Sequence, residues 1–202
     1  METLRLSVEA PDEIRKAGEL LREGCLVAFP TETVYGLGAR ADDKDAVAEL
    51  YRVKGRPAGK KCAILIPDPE DAQRHVGEMS VEEARLADVF WPGPLTLVVG
   101  GDDAIGVRCP DCEPTREMLR AADVPVYAPS ANISGKPPAK NADEVLKDFE
   151  GAISAVLDGG EVPGGTPSTV VRADGKELRI LRPGALARET LEAALAPDIN
   201  GR

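Results

Sequence analysis

Five consecutive apolar residues, Cys25-Leu26-Val27-Ala28-Phe29, stand between Gly24 and Pro30. An unbroken run of that length, closed by turn residues, predicts a strand over 25 to 29 buried on both faces. Upstream, residues 12 to 23 read as a helix. Downstream, Ala46, Val47, Leu50, Tyr51 and Val53 form a broad apolar stripe that predicts a helix over 43 to 54, with Asp43 and Asp45 favouring its N-terminus. Gly55 and Pro57 stop it, because a residue before proline is pushed out of the α region. The pattern continues with strand 63 to 66, helix 81 to 90, strands 95 to 99 and 105 to 108, helix 114 to 122, strand 124 to 128 and helix 142 to 149. Strands 153 to 157, 168 to 172 and 178 to 181 and a helix near 188 to 195 complete it. Ser80 with Glu83 is a capping box, and Asn141 with Glu144 is expected to cap in the same manner.

Elements that alternate and then run strand beside strand imply an α/β fold on a mixed sheet, not a purely parallel one. No repeat or low-complexity tract divides the 202 residues, so a single domain over 1 to 202 is expected. The net charge of −10 disfavours general nucleic-acid binding, which needs many neutralised phosphates. A local cationic pocket is compatible with that charge. No apolar run approaches the ~20 residues of a membrane span, and the N-terminus lacks a signal-peptide pattern, so a soluble, cytoplasmic protein is expected. Cys25 and Cys62 fall in apolar runs and read as small core residues.

Three motifs imitate known chemistry. Gly36-Leu37-Gly38-Ala39-Arg40-Ala41 fits a loose dinucleotide pattern, yet begins well after the strand and closes no βαβ unit. Gly159 to Thr166 imitates a P-loop with Gly165 where the lysine belongs, and reads as a flexible loop. Cys109-Pro110-Asp111-Cys112 has metal-ligand spacing, but the only histidine is His75, expected at the surface or in a loop, and no second ligand pair exists.

Other polar clusters sit where ligands are commonly held. Lys54-Gly55-Arg56-Pro57 breaks a helix so that both cationic heads can converge on one anion; the alternative is a lysine that complements the helix dipole and a solvated arginine. Arg108 ends a strand with a guanidinium suited to a carboxylate. Ala128-Pro129-Ser130-Ala131-Asn132 leaves a strand as a loop rich in hydroxyl and amide groups, Ser168 opens another strand and Arg182 closes one. Each also has an ordinary reading as a turn former, strand starter or surface charge.

Taken in order, PTETVYGLGA, KGRP, WPGPLTLVV, GVR, APSANISG, STVV and LRPG resemble the YrdC/Sua5/YciO family over about 18 to 186. The resemblance implies a YrdC-like domain, a twisted mixed sheet with flanking helices and a concave ligand-binding face. It implies threonylcarbamoyl-AMP synthase activity: L-threonine, bicarbonate and ATP, with Mg2+, give threonylcarbamoyl-AMP and pyrophosphate for the t6A modification of tRNA. The downstream partner is then a threonylcarbamoyl-transferase complex, and tRNA contact belongs to the same reading. Carried over by motif, Lys54, Arg56, Ser130 and Asn132 are catalytic and, with Arg182, bind ATP. Thr31, Arg108, Ala128 and Ser168 contact L-threonine, and no resident metal is implied. Lys60-Lys61-Cys62 departs from the small-Leu or Pro-Leu pair of many relatives, and Cys112 stands where a histidine is frequent. The alternative within the fold is a YciO-like nucleotide- or RNA-binding protein without efficient synthase activity.

Overall fold

The computed structural model describes residues 2–101, 103–174 and 177–196. Ten strands form one sheet in the spatial order β1 (Leu4–Ser7), β8 (Ala155–Asp158), β2 (Val27–Phe29), β3 (Gly36–Arg40), β7 (Val126–Tyr127), β4 (Ala63–Leu65), β6 (Ile105–Arg108), β5 (Leu95–Val99), β9 (Thr169–Asp174) and β10 (Glu177–Arg182). The sheet is mixed, as the element order predicts. β1 and β2 both run parallel to β8, which lies between them, while β4 pairs parallel with β6 and β5 with β9. The remaining neighbours are antiparallel.

Helices cover this sheet unevenly, and the uneven cover creates the site. In the half around β2, one face packs on α1 (Pro11–Arg22) and α5 (Glu113–Ala122) through Leu21, Phe29, Met118, Val126 and Leu157. The opposite face packs on α2 (Lys44–Lys54) and α6 (Ala142–Phe149) through Ala28, Leu37, Leu50, Val145 and Val156. In the half around β5, one face is closed by α3 (Ala72–Val76), α4 (Val81–Phe90) and α7 (Arg188–Leu195) over Leu95, Leu97, Val107 and Val171. Alternation along the strands turns Thr96, Val98, Gly106, Arg108 and Val170 the other way, onto a face that no helix among the described residues covers.

Two glycines explain a strand that the sequence hides. Gly36 and Gly38 face the ring of Phe29 across the β2–β3 pair, and a Cβ at Gly38 would lie 2.7 Å from that ring and 3.0 Å from Leu21. A strand with this GLGAR sequence is poor by propensity and is held by an aromatic side chain that fills the glycine surface. β1 is likewise weakly signalled, because only Leu6 of its four residues is buried. The 3-10 turn Pro69–Asp71 and the five-residue α3 are too short to carry a helical period; α3 places His75, half-buried, on a helix and not in a loop.

Helix ends follow the expected chemistry with one correction. The Asp43 carboxylate accepts from the Asp45 and Ala46 amides at the start of α2, and Gly55 ends it in the left-handed region at φ 58°. At α4 both halves of the Ser80/Glu83 capping box are formed. At α6 the Asn141 side chain accepts from the Glu144 amide, but Glu144 turns back to the amide of Lys140, so the reciprocal half of the predicted box is missing.

Candidate active site

The bare concave face forms a cavity of about 580 Å³. All nine residues singled out from the motifs line it: Thr31, Lys54, Arg56, Arg108, Ala128, Ser130, Asn132, Ser168 and Arg182. They arrive from both halves of the chain, at the ends of β7, β6, β9 and β10 and in the turns beside β2 and α2. Lys60 and Lys61 line it as well, which makes six cations with Lys54, Arg56, Arg108 and Arg182. No carboxylate lines the cavity among the described residues. In a chain of net charge −10 this is a focused positive field.

Lys54 is not the free head that the broken helix suggested. Its side chain is only 2% exposed, and its ammonium donates to the backbone carbonyls of Ser130 (2.5 Å) and Asn132 (2.6 Å). Burial, and then the neighbouring Arg56, lower its pKa to about 8. Arg56 is also occupied: its Nε donates to the Lys60 carbonyl at 2.9 Å and its Nη2 to the Lys61 carbonyl at 2.8 Å, over the ring of Tyr51. Both cations face one cavity, with two of the three Lys54 donors and two of the five Arg56 donors holding loops.

The Ser-x-Asn element is stapled to itself. Ser130 Oγ donates to Asn132 Oδ1 at 2.6 Å, and Asn132 Nδ2 donates to the carbonyls of Ile133 and Lys136, each at 2.9 Å. With Lys54 bound to its carbonyls, this loop is preorganised before any ligand arrives.

On the opposite wall, Thr31 Oγ1 donates to the Val34 carbonyl at 2.7 Å and accepts from the amides of Thr33 and Val34, a hydroxyl-led turn. Thr33 links that turn to Arg108, whose Nη2 donates to Thr33 Oγ1 at 3.0 Å while Nε donates to the Gly93 carbonyl at 3.1 Å. Behind Arg108 stands Glu32, its Oε1 2.7 Å from Nη2, with neither oxygen accepting an aligned hydrogen bond among the described residues. Arg108 is therefore held at three points with Nη1 still available for a carboxylate. Ser168 shares a hydrogen bond of 2.8 Å with Thr96 and accepts from Arg182, whose pKa is lowered by burial and then by Arg108 and Arg56.

Glu32, Thr33, Thr96, Lys60 and Lys61 were not marked in advance. The period-2 pattern of β5 carried the signal for Thr96, since a polar residue between Leu95 and Leu97 must face away from the core. The loop from Gly159 to Thr166 is also better anchored than expected: the Gly165 amide donates to the Thr33 carbonyl at 2.7 Å, and the Val162 amide to Lys140. Cys109 is buried, with its thiol toward the Pro67 carbonyl and its pKa pushed up to about 12 by burial. Among the described residues no group of three or more His, Cys, Asp or Glu side chains could hold a metal ion. No helix there is long and apolar enough to cross a membrane.

A mixed sheet with one concave face bare, lined by six cations and several hydroxyls and, among the described residues, by no carboxylate, defines an α/β protein with a cavity suited in charge to a small anionic ligand. The chain belongs to the Sua5/YciO/YrdC family, whose profile, described as "Telomere recombination", matches residues 19–184. It is 43% identical over 194 residues to the threonylcarbamoyl-AMP synthase of Pyrococcus abyssi, covering 91% of this chain and 57% of that protein. It is 37% identical over 216 residues to the Bacillus subtilis threonylcarbamoyl-AMP synthase, covering 98% of this chain and 62% of that one. The crystal structure of P. abyssi Sua5 complexed with L-threonine superposes with a TM-score of 0.88 at 41% identity, over 96% of this chain and 61% of that chain. The chain thus spans about three-fifths of the length of these relatives.

Proposed function

We propose that this chain is a threonylcarbamoyl-AMP synthase that joins L-threonine, bicarbonate and ATP. The observation that carries the reading is the cavity itself, where a braced guanidinium at Arg108 and five further cations share one chamber with no carboxylate in its lining among the described residues. Such a chamber suits two anions that must meet: an amino-acid carbamate and a nucleotide triphosphate. Threonine's neutral amine takes up the carbon of bicarbonate with loss of water, giving a carbamate. One carbamate oxygen then bonds to the α-phosphorus as the bond to the β-phosphate oxygen breaks and pyrophosphate leaves. The barrier is mainly the repulsion of like charges, so positioning and neutralisation do the catalytic work, not a strong base.

In this reading Arg108 takes the threonine carboxylate beside Thr31, Ala128 and Ser168. Lys54, Arg56, Ser130, Asn132 and Arg182 face the nucleotide. Mg2+ enters as part of the substrate Mg-ATP, since the cavity lining offers it no carboxylate among the described residues. The product would be consumed in a cytoplasmic transfer of the threonylcarbamoyl group to tRNA.

Pyrophosphate release tests the proposal: it is expected only when ATP, L-threonine and bicarbonate are all present. Release that proceeds equally well without an amino acid refutes the synthase reading. ATP binding with no release under any condition makes the chain a nucleotide-binding relative instead.

A further inference from the structure

We infer that Glu32 is a specificity-determining residue: by pairing with Arg108 it offsets the charge at the amino-acid end of the cavity, so that phosphate groups are drawn to the other end. The inference deepens the synthase reading, on which the identity of both ligands rests. Of the six cations that line the chamber, only Arg108 has a carboxylate within ion-pair distance among the described residues. The heads of Lys54, Arg56, Lys61 and Arg182 are met by neutral groups, namely backbone carbonyls and, for Arg182, the Ser168 hydroxyl as well. Positive charge in the chamber is therefore uneven, offset at Arg108 and uncompensated elsewhere.

Glu32 is not needed to hold the guanidinium in place. The bonds from Nε to the Gly93 carbonyl and from Nη2 to Thr33 Oγ1 already fix its plane. Glu32 Oε1 approaches Nη2 at 2.7 Å, yet neither carboxylate oxygen accepts an aligned hydrogen bond among the described residues, so the contact is one of charge. Both oxygens are buried and Glu32 is not part of the cavity lining, so its charge is weakly screened and no ligand touches it. A guanidinium offset in this way still offers the N–H groups of Nη1, which suit a carboxylate carrying one charge. A phosphate with two charges gains less there than among the uncompensated cations, and attraction withheld from the wrong ligand is a source of specificity.

Glu32→Gln tests the inference, because the amide keeps the shape and removes the charge. Calorimetric titration with inorganic pyrophosphate is expected to show at least about fivefold tighter binding than to wild type, as an uncompensated buried guanidinium gains an anion. In saturating pyrophosphate, L-threonine should bind wild type within about twofold of its unhindered affinity, and the variant at least about tenfold more weakly, because pyrophosphate now competes for Arg108. A purely structural role for Glu32 would weaken both ligands instead. Glu32→Asp, with the charge withdrawn by one methylene, should bind pyrophosphate with intermediate strength, and it decides the matter if the Gln variant does not fold. Adding Arg108→Gln should abolish the gain. Pyrophosphate affinity that is unchanged or reduced in the single variants overturns the inference, and so does a gain that survives the loss of Arg108. Wild type that binds pyrophosphate but no L-threonine refutes the amino-acid reading of that end, while the pyrophosphate series still tests the charge pairing; binding of neither ligand by wild type or variants overturns both.

Discussion

The ammonium of Lys54 lies 2.6 Å from the backbone carbonyl of Asn132, joining positions 78 residues apart. The contact is reciprocated, since the Ser134 amide donates to the carbonyl of Lys54 at 2.8 Å. One end of α2 and the Ser-x-Asn loop are thus a single hydrogen-bonded unit, so the two halves of the motif pair that the sequence presents separately cannot move independently.

Replacing Lys54 by Met should therefore destabilise the fold, by about 2 to 4 kcal/mol, because one buried and one half-buried carbonyl lose their donor. Urea unfolding of the variant checks it. A loss under 0.5 kcal/mol, the ordinary range for a surface change, would return Lys54 to the role of a helix-end charge.

The same residue makes a signed pH prediction. Its folded pKa is lowered to about 8, whereas an unfolded lysine keeps its proton to about 10.4. Between those values the unfolded chain holds more protons, so this group's contribution to stability rises with pH. The stability of wild type relative to Lys54→Met should increase by about 1 to 2 kcal/mol from pH 7 to pH 9.5. A flat or falling difference would show that the ammonium stays charged across the window.

Arg108→Lys keeps the charge but loses the fork. Threonine KM is expected to rise more than tenfold with the ATP KM within twofold, as a point ammonium cannot bond Gly93, Thr33 and a carboxylate together. The melting temperature should also fall by several degrees, since Glu32 would be left with a poorer counter-ion. An equal rise in both KM values would assign Arg108 to the phosphates or to the fold.

Gly38→Ala places a methyl 2.7 Å from the Phe29 ring, 3.0 Å from Leu21 and 3.3 Å from Val126. Overpacking of this kind costs about 1 to 3 kcal/mol. Thermal unfolding of the single variant and of Gly38→Ala/Phe29→Leu tests the cause, because the smaller partner should recover part of the loss. No recovery would place the strain elsewhere.

The sequence made the buried strands and amphipathic helices readable because their periods are long enough to count; residues 95 to 99 and 188 to 195 appear where the pattern puts them. It concealed β3, whose glycines look like a loop until Phe29 is seen lying over them. The site followed the same division. Motif order marked nine residues that share one cavity, but not which heads were free, because hydrogen bonds such as those of Lys54 and Arg56 depend on backbone brought from other parts of the chain. Lys60 and Lys61 were visible only as a departure, with no sequence signal that Arg56 would bond their carbonyls.

The placement of β8 between β1 and β2 has a consequence for the chain as it emerges from the ribosome. Leu4 to Ser7 and Val27 to Ala28 can find their shared neighbour only after Ala155 to Asp158 has been synthesised, β8 beginning 127 residues after Ala28. Until then β1 lacks its sheet neighbour and β2 keeps one edge open, the kind of unpaired backbone that invites pairing with another chain. Protection of the Ala28 amide, which faces β8, from hydrogen exchange should therefore be absent from any fragment ending before residue 155, however much of the N-terminal half it contains.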